Sequence, residues 1–125
     1  MENTSRMYIL DLIEAIINQI QLASHCQELL HFYYTEYQAK KDTTLLSLMD
    51  IQQELLDNSI EIRRGMMKKL ETESTDKKMW CSVKHSLSAY GFALEVLYAN
   101  PEDFEFKYLA QQTYEQLMKI LSLFI

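Results

Sequence analysis

One proline and two glycines serve 125 residues, and that scarcity constrains the fold more than any other feature of the chain. Average usage would supply about 7% glycine and about 5% proline. A β-rich chain of this length needs many reversals, and reversals draw on both residues for their special φ values. With Gly65, Gly91 and Pro101 alone, the elements must be few and long. Helices meet that condition because each closes its hydrogen bonds within one segment. Apolar residues make up 48% of the chain, enough to build a core and too many for disorder. The expectation is a single all-α domain over residues 1–125.

Apolar spacing divides the chain into four helices. The first is predicted from Thr4 or Ser5 to Lys40. Ile9, Ile13, Ile16, Ile20, Ala23, Gln27, Leu30, Tyr34 and Tyr37 alternate steps of four and three, and Leu12, Ala15, Leu22, Cys26, Leu29 and Tyr33 widen the stripe. A face this wide touches two neighbours, as in a bundle. Lys40-Lys41-Asp42-Thr43-Thr44 breaks the helix, with Asp42 or Thr43 as the next N-cap. In the second helix Leu45, Leu48, Ile51, Leu55, Ile62 and Met66 form the predicted core row, with Met49, Leu56, Ile60, Met67 and Leu70 alongside. Asp57-Asn58-Ser59 and Gly65 are weak helix formers that allow a kink there, a straight helix being the expected form.

Glu71 to Thr75 reads as the second connection, with Ser74 or Thr75 capping the third helix and Asp76 in its first turn. Trp80, Val83, Leu87, Tyr90, Leu94 and Leu97 then step by three and four without a polar break, which predicts burial of Leu87 and Leu94. Asn100-Pro101-Glu102-Asp103 predicts the fourth helix start, with Asn100 as N-cap and Pro101 at the first helical position. That helix carries Phe106, Leu109, Thr113, Leu117, Ile120 and Phe124. Three short connections favour an antiparallel four-helix bundle in up-down-up-down order. The alternative is a long hairpin of the first two helices with a shorter pair packed on it.

A formal charge of −6 argues against a nucleic-acid partner. The charge is uneven. Seven basic and three acidic residues fall between Arg63 and Lys84, so Arg63, Arg64, Lys68 and Lys69 form a candidate basic patch on an acidic body. Cys26 and Cys81 sit in apolar helical contexts and predict two free, buried thiols in a reducing compartment. Asp11 and Glu14 interrupt the first apolar stretch, so no secretory signal is predicted. No run approaches the ~18 apolar residues of a membrane span. The expectation is a cytoplasmic protein without a membrane partner.

Chemistry-bearing motifs are sparse. Glu28-Leu29-Leu30-His31 is a Glu-x-x-His, the pair that ligates iron in ferritin-like bundles, but those sites need a second copy and two more glutamates. Ser82 and Leu22 stand where His85 and His25 would need their glutamates. Cys81 and His85 are four apart, and no third group orients them as a reactive pair. Phosphate loops, paired-cysteine zinc motifs and nucleophile elbows are absent. No catalytic residue, metal ligand or cofactor is therefore assigned. The run Phe32-Tyr33-Tyr34 with Tyr37 cannot enter one core stripe. Tyr34 fits it best and Phe32 is most displaced. These four aromatics, with the apolar Phe124 and Ile125, are the candidate partner-binding residues.

Leu55-Leu56-Asp57-Asn58-Ser59-Ile60-Glu61-Ile62-Arg63-Arg64, followed by Met66-Met67 and Leu70, resembles a helix of flagellar export chaperones of the FliT kind. The likeness covers about sixteen of the 125 residues. It implies a small acidic helical adaptor that holds an export client in the cytoplasm. The expected function is thus a non-enzymatic interaction protein that binds a partner helix. The alternatives are a ferritin-like metal protein or helical enzyme using Glu28 and His31, and a structural homodimer.

Overall fold

The computed structural model describes residues 2–74, 76–100 and 102–123, with side chains from residue 7 onward. Four helices account for nearly all of it: α1 (Glu2–Lys40), α2 (Thr44–Glu73), α3 (Lys77–Ala99) and α4 (Phe104–Ser122). At 1.5 Å per residue α1 is about 58 Å long and α4 about 28 Å, so the second pair cannot cover the first. α2 runs unbroken through Asp57-Asn58-Ser59 and Gly65.

α1 and α2 run in opposite directions. Tyr8 lies beneath the Lys69 ammonium, and eleven residues further along α1, Gln19 accepts a hydrogen bond from Ser59, ten residues back along α2. Ser59 is almost wholly buried, and its hydroxyl has the Gln19 carbonyl at 3.0 Å and Oε1 at 2.9 Å. A small residue with a polar handle lets the two helices approach closely while leaving no orphaned oxygen. Small neighbours continue the contact, with Ala23 and Cys26 of α1 packed on Leu56.

The main core lies where all four helices meet. Ile13, Ile16, Ile17 and Ile20 of α1 pack with Leu70 of α2, Trp80, Val83, Leu87 and Tyr90 of α3, and Leu117 and Leu121 of α4. Tyr90 also accepts a hydrogen bond from Gln21 at 3.1 Å, and its ring lies 5.4 Å from that of Tyr114. The predicted α3 stripe is the core face, with Leu87 buried and Leu94 partly buried against it. On α4 the buried residues are Ala110, Leu117 and Leu121, and Leu109 stays exposed.

The structure corrects several expectations. Of the predicted α2 core row, Leu48, Ile51, Leu55 and Ile62 are exposed while Leu45 and Met66 are partly buried, and the row placed alongside packs inward, with Leu56 and Leu70 buried beside Ser59. On α1 Tyr34 is 51% exposed and Tyr33 is half-buried, so the inner row shifts by one residue near the helix end. Asp76 itself caps α3, accepting from the Lys78 and Met79 amides at 3.1 Å each. Asp103, and not Asn100, caps α4, accepting from Glu105 at 2.8 Å and Phe106 at 3.4 Å. Asn100 closes α3, its backbone N–H directed to Val96 and Leu97. The ring of a following proline keeps a residue out of the helical region, and Asn100 has φ −139° and ψ 64°. Pro101 and Thr75 lie outside the described residues. Cys26 is buried as expected, and Cys81 is exposed.

Candidate partner-binding surface

Helical periodicity of about 100° per residue fixes which sides of the α1–α2 pair are covered. On α1 the row toward α2 contains Gln19, Ala23, Cys26 and Leu30. α3 meets α1 to one side of that row, through Tyr90 at Gln21 and through Tyr98, whose ring stands edge-on to His31 at 5.9 Å. Leu22 and Leu29 project to the other side, Leu22 exposed and Leu29 half-buried. On α2, Arg63 and Met67 border α3. Leu48, Ile51, Leu55 and Ile62 lie about a quarter turn the other way. Because the helices are antiparallel, both apolar flanks fall on the same side of the seam, opposite α3.

The result is an open groove. Its α2 wall is between 39% and 52% exposed at each of the four apolar positions. Phe32, three residues beyond Leu29 and about 60° further from the seam, is 56% exposed outside the groove, with its ring 5.8 Å from that of Tyr33. Near the hairpin end Tyr37 is half-buried, and the Lys41 ammonium lies 5.4 Å from its ring centroid. Lys41 takes a left-handed φ of 54° where α1 ends. Asp42 starts the return, its Oδ1 accepting from the Thr44 hydroxyl at 2.6 Å and the Thr44 amide at 3.0 Å. Those two bonds hold its carboxyl below the usual aspartate value. Phe124 and Ile125 lie outside the described residues.

The four basic residues do not share one direction. Arg64 and Lys68 are exposed, four apart on the outer face of α2. Lys69 lies over the Tyr8 ring at 5.6 Å, and its pairing with the Tyr8 hydroxyl raises its pKa. Arg63 is half-buried and turns inward to a cleft against α3. The α2 row was assigned from periodicity and Arg63 from charge clustering, and neither signal carries the direction in which a side chain turns. One sign of the α2 row's outward setting is in the sequence: Asn58 stands at the step between Leu55 and Ile62, and steps of three and four from Ile62 reach Gly65 and Lys69 and not Met66.

The histidines are on the surface. His25 Nδ1 lies 3.9 Å from Glu28 Oε2, both side chains well exposed, and His31 faces Tyr98. Among the described residues no three His, Cys, Asp or Glu side chains converge to hold a metal ion. Cys26 has its thiol pKa pushed up by burial. No described helix is long and apolar enough to cross a membrane.

Fold and surface together define an all-α protein of four packed helices with an uncovered apolar groove. No protein-family model, curated protein or solved structure matches the chain.

Proposed function

We propose that this chain is a non-enzymatic helical interaction protein, a cytoplasmic chaperone-like adaptor that seats an amphipathic partner helix along the α1–α2 seam. The observation that carries this reading is the exposed α2 row Leu48, Ile51, Leu55 and Ile62, which repeats at helical spacing. A partner helix reading i, i+3, i+4 and i+7 would lay its apolar face into the groove, with hydrophobic burial supplying affinity. Part of this row, Leu55 and Ile62, falls in the segment that resembles export chaperones. In this reading the helices alternate up-down-up-down, in keeping with the opposed α1–α2 pair.

A photo-crosslinking residue at position 51, introduced in cells of the source organism, tests the reading. Adducts that disappear with Leu55→Glu support a groove-bound partner, and adducts to a second copy would move the reading to a homodimer. Phe32→Ala should weaken association, measured by sedimentation, while costing the fold less than Leu87→Ala. Absence of any adduct, with association unchanged by Leu55→Glu, would sink the adaptor reading.

A further inference from the structure

On the α3 side of the seam, away from the groove, α1, α2 and α3 line a half-open cleft of about 240 Å³. Its accessible apolar surface comes from the half-buried Met67 and from Phe92, 62% exposed, above the buried Ile20 and Leu87. At Gly91 the Arg63 guanidinium packs close to the bare α3 backbone: a Cβ there would lie in ordinary contact, 3.7 Å from Arg63 Nη1 and 3.9 Å from Ile20 Cγ2. The half-buried Arg63 lines this space. The ion pairs among the described residues are His25–Glu28 and Lys40–Glu36, so Arg63 has no described carboxylate within 4.0 Å. Glu95 shares the cleft wall but stays beyond that distance.

A guanidinium drawn half out of water with no described carboxylate within 4.0 Å has lost hydration that no salt bridge among the described residues restores. An anion that reaches the half-buried Arg63 is screened less than one at a fully exposed arginine. Arginine's planar fork suits a carboxylate, which it can hold through two parallel hydrogen bonds. We propose that the cleft binds an apolar carboxylate, its charge on Arg63 and its hydrocarbon body against Met67 and Phe92. The volume falls below the roughly 300–1,000 Å³ of drug-sized pockets, so the body is one ring or a short alkyl chain. Glu95 repels a second negative charge and restricts the ligand to monocarboxylates. The site stands whether or not the groove holds a partner helix.

The probe is 3-phenylpropionate, titrated by calorimetry and by ligand-observed NMR, with 3-phenylpropan-1-ol as its uncharged counterpart. Saturable millimolar binding of the acid is expected, falling with added salt. The alcohol should bind at least about tenfold more weakly, the factor a charge-assisted bidentate pair carries. Arg63→Met should abolish the difference between acid and alcohol, Glu95→Gln should tighten the acid several-fold, and Phe92→Ala should weaken both. Circular dichroism confirms that each variant folds. N-acetylphenylalanine presents the same charge on a chain end: tighter binding than the free acid assigns the site to peptide termini, weaker binding to small free acids. Equal binding of acid and alcohol, an unchanged Arg63→Met, or no saturation by about 20 mM overturns the proposal.

Discussion

Truncating Leu87 and Leu55 separately, each to alanine, tests the rotational setting of α2 on which the groove depends. Leu87 is 1% exposed and sits in the four-helix core. Its truncation removes three carbons at about 0.8 kcal/mol each, or about 2.4 kcal/mol of transfer free energy. A residual void adds about 24 cal/mol per Å³, bringing the expected loss to about 3–4 kcal/mol. Leu55 is 45% exposed, so about half of the same transfer term applies and no closed void forms. Its truncation should cost about 1 kcal/mol. In urea, with a slope of about 1.5 kcal/mol/M, Leu87→Ala should lower the midpoint by about 2 M and Leu55→Ala by well under 1 M. Melts at two protein concentrations separate fold from association, because a second copy bound at the groove would make the Leu55→Ala penalty grow with concentration. Equal losses at low concentration would mean that the Leu55 row is the core and that α2 is turned by about 100° from the setting described. The groove would then not exist.

Asp103→Ala should lose about 0.5–2 kcal/mol by unfolding melts, because it removes the acceptor of two early α4 amides. Asn100→Ala should lose clearly less, since its exposed side chain donates only to the Val96 carbonyl; the reverse ranking would return the cap to Asn100. Gly65→Ala should stabilise by about 0.8–1 kcal/mol, since nothing lies within 4 Å of the new methyl group and the backbone there is helical; destabilisation would show a close neighbour at that face. A thiol reagent should titrate Cys81 in the folded protein and Cys26 only on unfolding, so two fast-reacting thiols would place Cys26 at the surface. The Asp42 carboxyl has its folded pKa lowered by Thr44, so its stabilisation is present above the unfolded aspartate value of about 3.9 and lost as pH falls through the lower folded value. The stability gap between the parent and Asp42→Asn should therefore be constant near neutrality and close below about pH 4. A gap that widens on acidification would contradict the assignment.

Sequence by itself determined the number of helices, their approximate ends and the α3 core face. Glycine and proline scarcity limited the turns, and the run from Trp80 to Leu97 offered one apolar row with no rival. Helix caps were legible as clusters and not as residues. Ser74-Thr75-Asp76 and Asn100 to Asp103 each hold several groups able to cap, and the backbone path chose Asp76 and Asp103. The candidate site was only half legible. Phe32 could be read as displaced from the stripe, but the inward turn of Arg63 could not.

On α2 two rows compete on nearly equal terms. Leu48, Ile51, Leu55 and Ile62 are interrupted by Asn58, while Met49, Leu56 and Leu70 are interrupted by Gln52, Ser59 and Arg63, and Met66, read as the end of the first row, packs with the second. Periodicity favours the more hydrophobic first row. Tertiary structure chose the second, because Ile60 and Met67 widen it and Ser59 is small enough to bring α1 close while donating its hydroxyl proton to Gln19. Periodicity measures how apolar a face is, whereas packing depends on whether two particular surfaces fit with their polar groups satisfied. Only the folded partner helix supplies that second surface, and the more apolar row of α2 is left facing outward.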